Sequence, residues 1–348
     1  MLGVGGTMKG RAWTLRNATL ALCLLAASSC GQGSSVEPDT IVRQRHGDDM
    51  SALVPLSLAE GERLRVVATT NIVGDVLENV GHDQVNLTVL IPRGTDPHAF
   101  EPTPQDAVAV TEAHVVIASG AGLEVFLEPL LQSAGAGVPV VELSSGVDLI
   151  AYGDTGLDEE GELHPSDEGA YGELDPHTWL DPNNVMAWTA SLVHALGTLD
   201  PAHSAAYESN AAAYLQELAS LDAWIRDQIA GVPVDERRLV TDHASLGYFA
   251  RQYGFGQVGT VLPGYSTLSE PSARDLAALV RTVEQTGVRA VFVGMAVSPF
   301  VSRRVSEDTG IELVQLYVGS LSEPGGSADT YLKLMRYDVT AIVQALTS

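Results

Sequence analysis

The sequence predicts an α/β protein, with two parallel-sheet (β/α) lobes joined by one long rigid helix and a ligand cleft between the lobes. Three observations carry this reading. Short β-branched runs alternate with helical stretches in two separate series, the pattern of parallel sheets covered on both faces. Between the series, residues 201–230 contain no Gly and no internal Pro, and an apolar stripe runs through them at helical spacing. The length of 348 residues exceeds what a single hydrophobic core usually organises.

In the first series, "RLRVVATT" (63–70), "QVNLTVLI" (84–91), "HVVIASG" (114–120) and "VPVVELS" (138–144) read as strands, with "IVGDVLENV" (72–80) as a helix. Thr103-Pro104 with Asp106, Asp181-Pro182 and Asp200-Pro201 mark helix starts, each placing a capping side chain before a Pro. Tyr207, Ala211, Tyr214, Leu218, Leu221 and Ile225 form the stripe of the long helix, which at 1.5 Å per residue would reach about 45 Å. A coiled-coil partner is one use for such a stripe; a spine packed on both lobes fits better, since a second series follows at once. Its strands are "RRLVTDH" (237–243), "QVGTVLP" (257–263), "RAVFVGMAV" (289–297) and "IELVQLYVG" (311–319), with helices near 245–253, 271–286, 298–308 and 327–346. The expected division is therefore 63–199 for the first lobe, 200–231 for the linking helix and 232–348 for the second lobe.

The N-terminus reads as an export signal. Lys9, Arg11 and Arg16 precede an apolar run (18–27) too short to span a bilayer, and "AASSC" resembles a lipobox with Cys30 as the lipid attachment point. Either Met1 or Met8 serves as the start. Residues 1–30 would then be removed, 31–62 form a polar tether, and the product is anchored to the outer face of a bacterial membrane without spanning it. Cys23 and Cys30 are the only cysteines, so the mature chain has no disulfide and no thiolate ligand. A net charge of -25 excludes nucleic acid as a partner, since phosphate contacts need clustered Lys and Arg. The same charge attracts cations and keeps copies apart, which favours a monomer. Part of it lies in the Gly- and carboxylate-rich segment 154–175, either a solvated insertion or a cation-collecting loop in which His164 takes part.

Three of the nine histidines stand apart. His98 and His177 each follow Asp-Pro in a loop, and His243 ends a strand on the edge where parallel sheets bind ligands. Proline presets the backbone before each loop His. Neutral imidazoles without sulfur suit Zn²⁺, although spacing alone leaves open whether the three converge. Asp96, Glu101 and Asp175 are candidates to fix the loops or to orient imidazoles from behind. Asp242, beside His243 on a strand, is expected to point to the opposite face.

In this order, "ATTNIVGDV", "GTDPHAFEPTPQD", "DPHTWLDPNN" and "VTDHASLGYFARQYGF" resemble the cluster A-I solute-binding proteins of ABC transporters, the ZnuA-like and TroA-like zinc- and manganese-binding family. The resemblance covers residues 63–348. It implies that His98, His177 and His243 ligate a metal between the lobes, that no reaction is catalysed, and that the partners are a membrane permease and its ATPase. Manganese-type members commonly carry a carboxylate where His243 stands, so the expected cargo is Zn²⁺ before Mn²⁺ or another divalent ion. Many members supply a fourth ligand, an Asp, where this chain has Gly319. Water, His164, the acidic loop or, less directly, Asp308, Glu312 or Glu323 would complete the shell. An open three-His site also suits catalytic zinc, but no HExxH or other general-base motif accompanies it. A surface adhesin with a degenerate metal site is the reading from another class.

Overall fold

The computed structural model describes residues 53–135, 137–151 and 174–348. The signal segment with Cys30, the tether up to residue 52 and the bulk of the acidic segment with His164 lie outside the described residues.

The first sheet contains β1 (Leu64–Ala68), β2 (Val85–Val89), β3 (Val115–Ala118) and β4 (Val140–Glu142) in the order β2-β1-β3-β4, with every pairing parallel. Its crossovers run through α1 (Asn71–Gly81), α2 (Pro104–Glu112) and α3 (Leu127–Ala134). All four residues of β3 are buried, without alternation, because helices cover both faces of the sheet. The second sheet repeats the plan. It contains β5 (Arg238–Thr241), β6 (Gly256–Thr260), β7 (Ala290–Gly294) and β8 (Glu312–Leu316), ordered β6-β5-β7-β8 and again parallel. Here α6 (Gly247–Tyr253), α7 (Ala273–Thr286) and α8 (Phe300–Thr309) connect the strands, and α9 (Tyr331–Thr347) follows β8. In each sheet the chain leaves the first strand toward one side and then crosses to the other. Such a reversal leaves a crevice at the carboxyl ends of the strands.

Between the sheets lie α4 (Pro182–Leu199) and α5 (Ser204–Ile229). Asp181 caps α4 by accepting from the Asn183 N–H, with Pro182 in the first turn. Thr103 with Asp106, and Ser272 with Asp275, form reciprocal capping boxes on α2 and α7. Helix α5 has 26 residues, so it spans about 39 Å rather than 45 Å. The shortfall arises because Pro201–His203 form a separate 3-10 turn. Its stripe from Tyr207 to Ile225 is wholly buried. That face packs against α1 beside the first sheet, α9 beside the second, and α4, so the chain itself supplies the partner for the stripe. One apolar core runs from Leu64 through α5 to Leu346, and a smaller cluster fills the far side of each sheet.

The tether ends earlier than residue 62. Leu53 is buried in the main core, Leu56 and Leu58 pack against it, and the Leu56 N–H donates to the Leu199 carbonyl at 2.8 Å. Residues 53–62 are thus docked on the first lobe, because three leucines find apolar neighbours despite the polar composition around them. Among the described residues, no helix is long and apolar enough to cross a membrane.

Candidate metal centre

His98 lies in the 3-10 turn Pro97–Ala99 on the loop that follows β2. Asp96 shapes this turn: its Oδ1 accepts from the His98 N–H at 3.0 Å, and its Oδ2 accepts from the Thr267 hydroxyl at 2.6 Å. His177 follows an equivalent arrangement, with Asp175 Oδ1 accepting from the His177 N–H at 2.9 Å. There the same oxygen also lies 2.8 Å from His177 Nδ1. His243 follows β5, where Asp242 Oδ1 accepts from its N–H and lies 2.8 Å from its Nδ1. Asp242 Oδ2 is held in turn by the Gly294 N–H.

Asp242 therefore does not point away from the site. The strand ends at Thr241, so side-chain alternation no longer applies at Asp242 and the turn directs its carboxylate to the imidazole. Asp96 fixes its loop through backbone and Thr267, while Asp175 both fixes its loop and backs the ring. Glu101 is exposed, and among the described residues no side-chain hydrogen bond joins it to the cluster, so it does not take the expected supporting place.

The three rings converge. His98 Nε2 lies 3.1 Å from His177 Nε2, and His243 Nε2 lies 3.2 Å from the same atom. One ring nitrogen from each residue falls within 4.8 Å of the others. Ligands on a tetrahedral ion with bonds of about 2.0–2.1 Å stand about 3.3 Å apart, so this spacing accommodates a single cation. Tautomers sharpen the point. When Nδ1–H of His177 and of His243 donates to an aspartate, each Nε2 presents a lone pair. Two lone pairs facing each other at that distance require a proton or a cation between them.

Burial and charge set the protonation of the cluster. Burial, and then the neighbouring rings, push the His98 imidazole down to about 2. Burial followed by the charge on His243 lowers His177 strongly. Burial opposes the charged form of His243 as well, but the adjoining Asp242 outweighs it and raises His243 above the ordinary imidazole value. Of the three rings, His243 is therefore the one whose charged form its surroundings favour. Burial raises Asp175, whereas the charge and hydrogen bond of His243 hold Asp242 low despite its burial.

Asp96, Pro97, Gly294, Val297, Val318 and Gly319 close the surrounding cavity, whose volume is about 10 Å³. At Gly319, where the resemblance led to the expectation of an Asp in other members, a Cβ would stand 3.2 Å from Pro97 Cδ, so the position faces a proline ring. The other carboxylate candidates are elsewhere: Asp308 pairs with Arg304 on α8, and Glu312 and Glu323 are exposed. Among the described residues the clustered groups able to hold a metal are the three histidines alone.

The sequence did not reveal what braces this centre. Asn71, the first residue of α1, donates to Ser320 Oγ and accepts from the Leu321 N–H, joining the start of α1 to the loop after β8. Arg93 donates to the carbonyls of Ser322 and Asp329, and the Gly94 N–H donates to Ser320 Oγ. Trp179 Nε1 donates to the Val318 carbonyl, and the Tyr248 hydroxyl donates to the Asp175 carbonyl. The "ATTN" motif carries part of this information, since Thr70 caps α1 and leaves Asn71 facing the opposite lobe.

Two parallel-sheet lobes that enclose converging imidazoles form the frame of a metal-binding receptor. Comparison with known proteins agrees. Residues 66–345 match the family model described as zinc-uptake complex component A, periplasmic. The manganese-binding lipoprotein MntA of Halalkalibacterium halodurans is 33% identical over 289 residues, covering 83% of this chain and 90% of that protein. The manganese ABC transporter substrate-binding lipoprotein PsaA of Streptococcus pneumoniae is 28% identical over 293 residues, covering 82% and 90%. Among solved structures, the periplasmic zinc-binding protein TroA of Treponema pallidum superposes with a TM-score of 0.72 at 25% identity, over 82% of this chain and 100% of that one. The cadmium-bound periplasmic metal-binding protein of Candidatus Liberibacter asiaticus gives 0.69 at 26% identity, with the same coverage. The chain belongs to the zinc-uptake component A family of metal-binding receptors of ABC transporters, which are solute receptors and not enzymes.

Proposed function

We propose that this receptor captures Zn²⁺ through Nε2 of His98, His177 and His243 and hands it to a membrane permease driven by its ATPase. One observation carries the proposal: three ring nitrogens converge, and the nearby Asp175 and Asp242 are occupied on the outer nitrogens instead of facing the cavity. An all-nitrogen set favours Zn²⁺, whereas Mn²⁺ favours carboxylate and water oxygen. A water or a group of the 154–175 segment, with His164 among the candidates, completes the tetrahedron. Anchoring through a lipid on Cys30 would keep this monomeric receptor close to its permease, with the acidic segment collecting cations.

Manganese is the second reading, favoured by the names of MntA and PsaA. Titration calorimetry on chelator-stripped protein decides between them. Zn²⁺ is expected to bind at one equivalent and more tightly than Mn²⁺ by orders of magnitude; equal or tighter manganese binding would reverse the assignment. An adhesin with a degenerate site would take up neither ion.

A further inference from the structure

We propose that Thr267 is a positioning residue that latches the His98 turn to the opposite lobe and sets the rate at which bound metal leaves. The proposal rests on the metal-receptor reading above. Asp96 divides its carboxylate between two tasks, with one oxygen on the His98 backbone and the other on the hydroxyl of Thr267, 171 residues further along. The group that shapes the turn is therefore itself held from the second lobe, by the loop after β6. A hydroxyl donating to a carboxylate belongs to the stronger class of hydrogen bond.

His98 depends on this hold in a way the other two histidines do not. Among the described residues no carboxylate backs its ring, so the position of the turn sets the position of the nitrogen. The turn has a second attachment at Gly94, whose N–H bonds to Ser320 Oγ and whose φ of 72° places it in the left-handed region. Gly94 is thus a pivot and Thr267 a catch. Releasing the catch lets Asp96, Pro97 and His98 swing about the pivot while His177 and His243 stay in place. The motion would open the cavity toward water, since Ala99 is exposed, His98 is half-buried, and Leu268 beside the catch is 66% exposed.

The test compares full-length wild type, Thr267→Val and Thr267→Ser, each loaded with one equivalent of Zn²⁺ and mixed with excess chelator in a stopped-flow instrument. Thr267→Val keeps the shape and removes the donor; it is expected to release metal about tenfold faster, the effect of losing one hydrogen bond to a charged group. Its association rate and the melting temperature of the metal-free protein should stay at wild-type values, and Thr267→Ser should release at the wild-type rate. Wild-type release from Thr267→Val overturns the latch. Equal acceleration in both variants with a lowered melting temperature also overturns it, in favour of a purely structural contact. A wild-type protein that takes up no zinc would sink the receptor reading, and the latch with it.

Discussion

His177 and His243 are buried, and each leans through its outer ring nitrogen on an aspartate that backbone amides hold in place. His98 is half-buried and owes its position to the backbone of a turn. The cavity accordingly has one wall braced by side chains, built from the chain around Asp175 and Asp242, and one wall set by the backbone of the loop after β2. On the proposed function, affinity should depend on both walls and the rate of release chiefly on the second. Low dielectric around the braced pair also makes their protonation the more sensitive to charge.

The largest effects should come from removing rings. If the roughly 10–16 kcal/mol typical of structural zinc is spread over four ligands, each imidazole supplies about 3 kcal/mol, so His177→Ala and His243→Ala should each weaken binding about 100- to 1,000-fold. His98→Ala should also weaken it, and by less than either, because a water can enter from the exposed side. Competition against a chelator of known affinity reads all three. A larger loss at His98 than at His177 would break the comparison.

Substitutions behind the braced wall come next. Asp242→Asn and Asp175→Asn leave the rings in place and remove their backing, a change that typically costs about 10- to 100-fold in affinity. Asp242 also raises the proton affinity of His243. A proton there competes with metal, so wild-type affinity is full above the His243 titration and declines as pH falls through it. In Asp242→Asn that titration should move to lower pH, so the decline sets in later. Zinc titrations across pH would show this; an unmoved midpoint would mean that another group takes the competing proton.

The smallest effects belong to Gly319. Gly319→Ala places a methyl against Pro97 and should weaken binding only a few-fold by pressing on the His98 turn. Gly319→Asp meets the same proline and adds a carboxylate, so it should bind zinc more tightly than Gly319→Ala. If the two behave alike, the side chain at 319 does not reach the metal.

Much of the fold was legible in the sequence because its signals are local. Each of the eight strands overlaps a run read as a strand, with ends that differ by several residues, and the stripe from Tyr207 to Ile225 announced the long helix through spacing alone. Asp-Pro before His98 and His177, and the strand end before His243, were enough to single out the three rings. Their supports were harder to read. Asp242 was misjudged because one residue of strand length decides which way it points. The docking of Leu53, Leu56 and Leu58 escaped notice because they follow no period. Thr267 and Asn71 act on residues far away in sequence, and a Thr in a polar loop looks like any other until the opposite lobe is in place.

Counted from its own first strand, each sheet has the order 2-1-3-4, so the His98 turn and Thr267 both occupy the loop after the second strand. The bond from Thr267 to Asp96 thus joins corresponding places in two copies of one plan. The mouth of the site is a matched pair of lips, and drawing back either one would uncover the same three nitrogens.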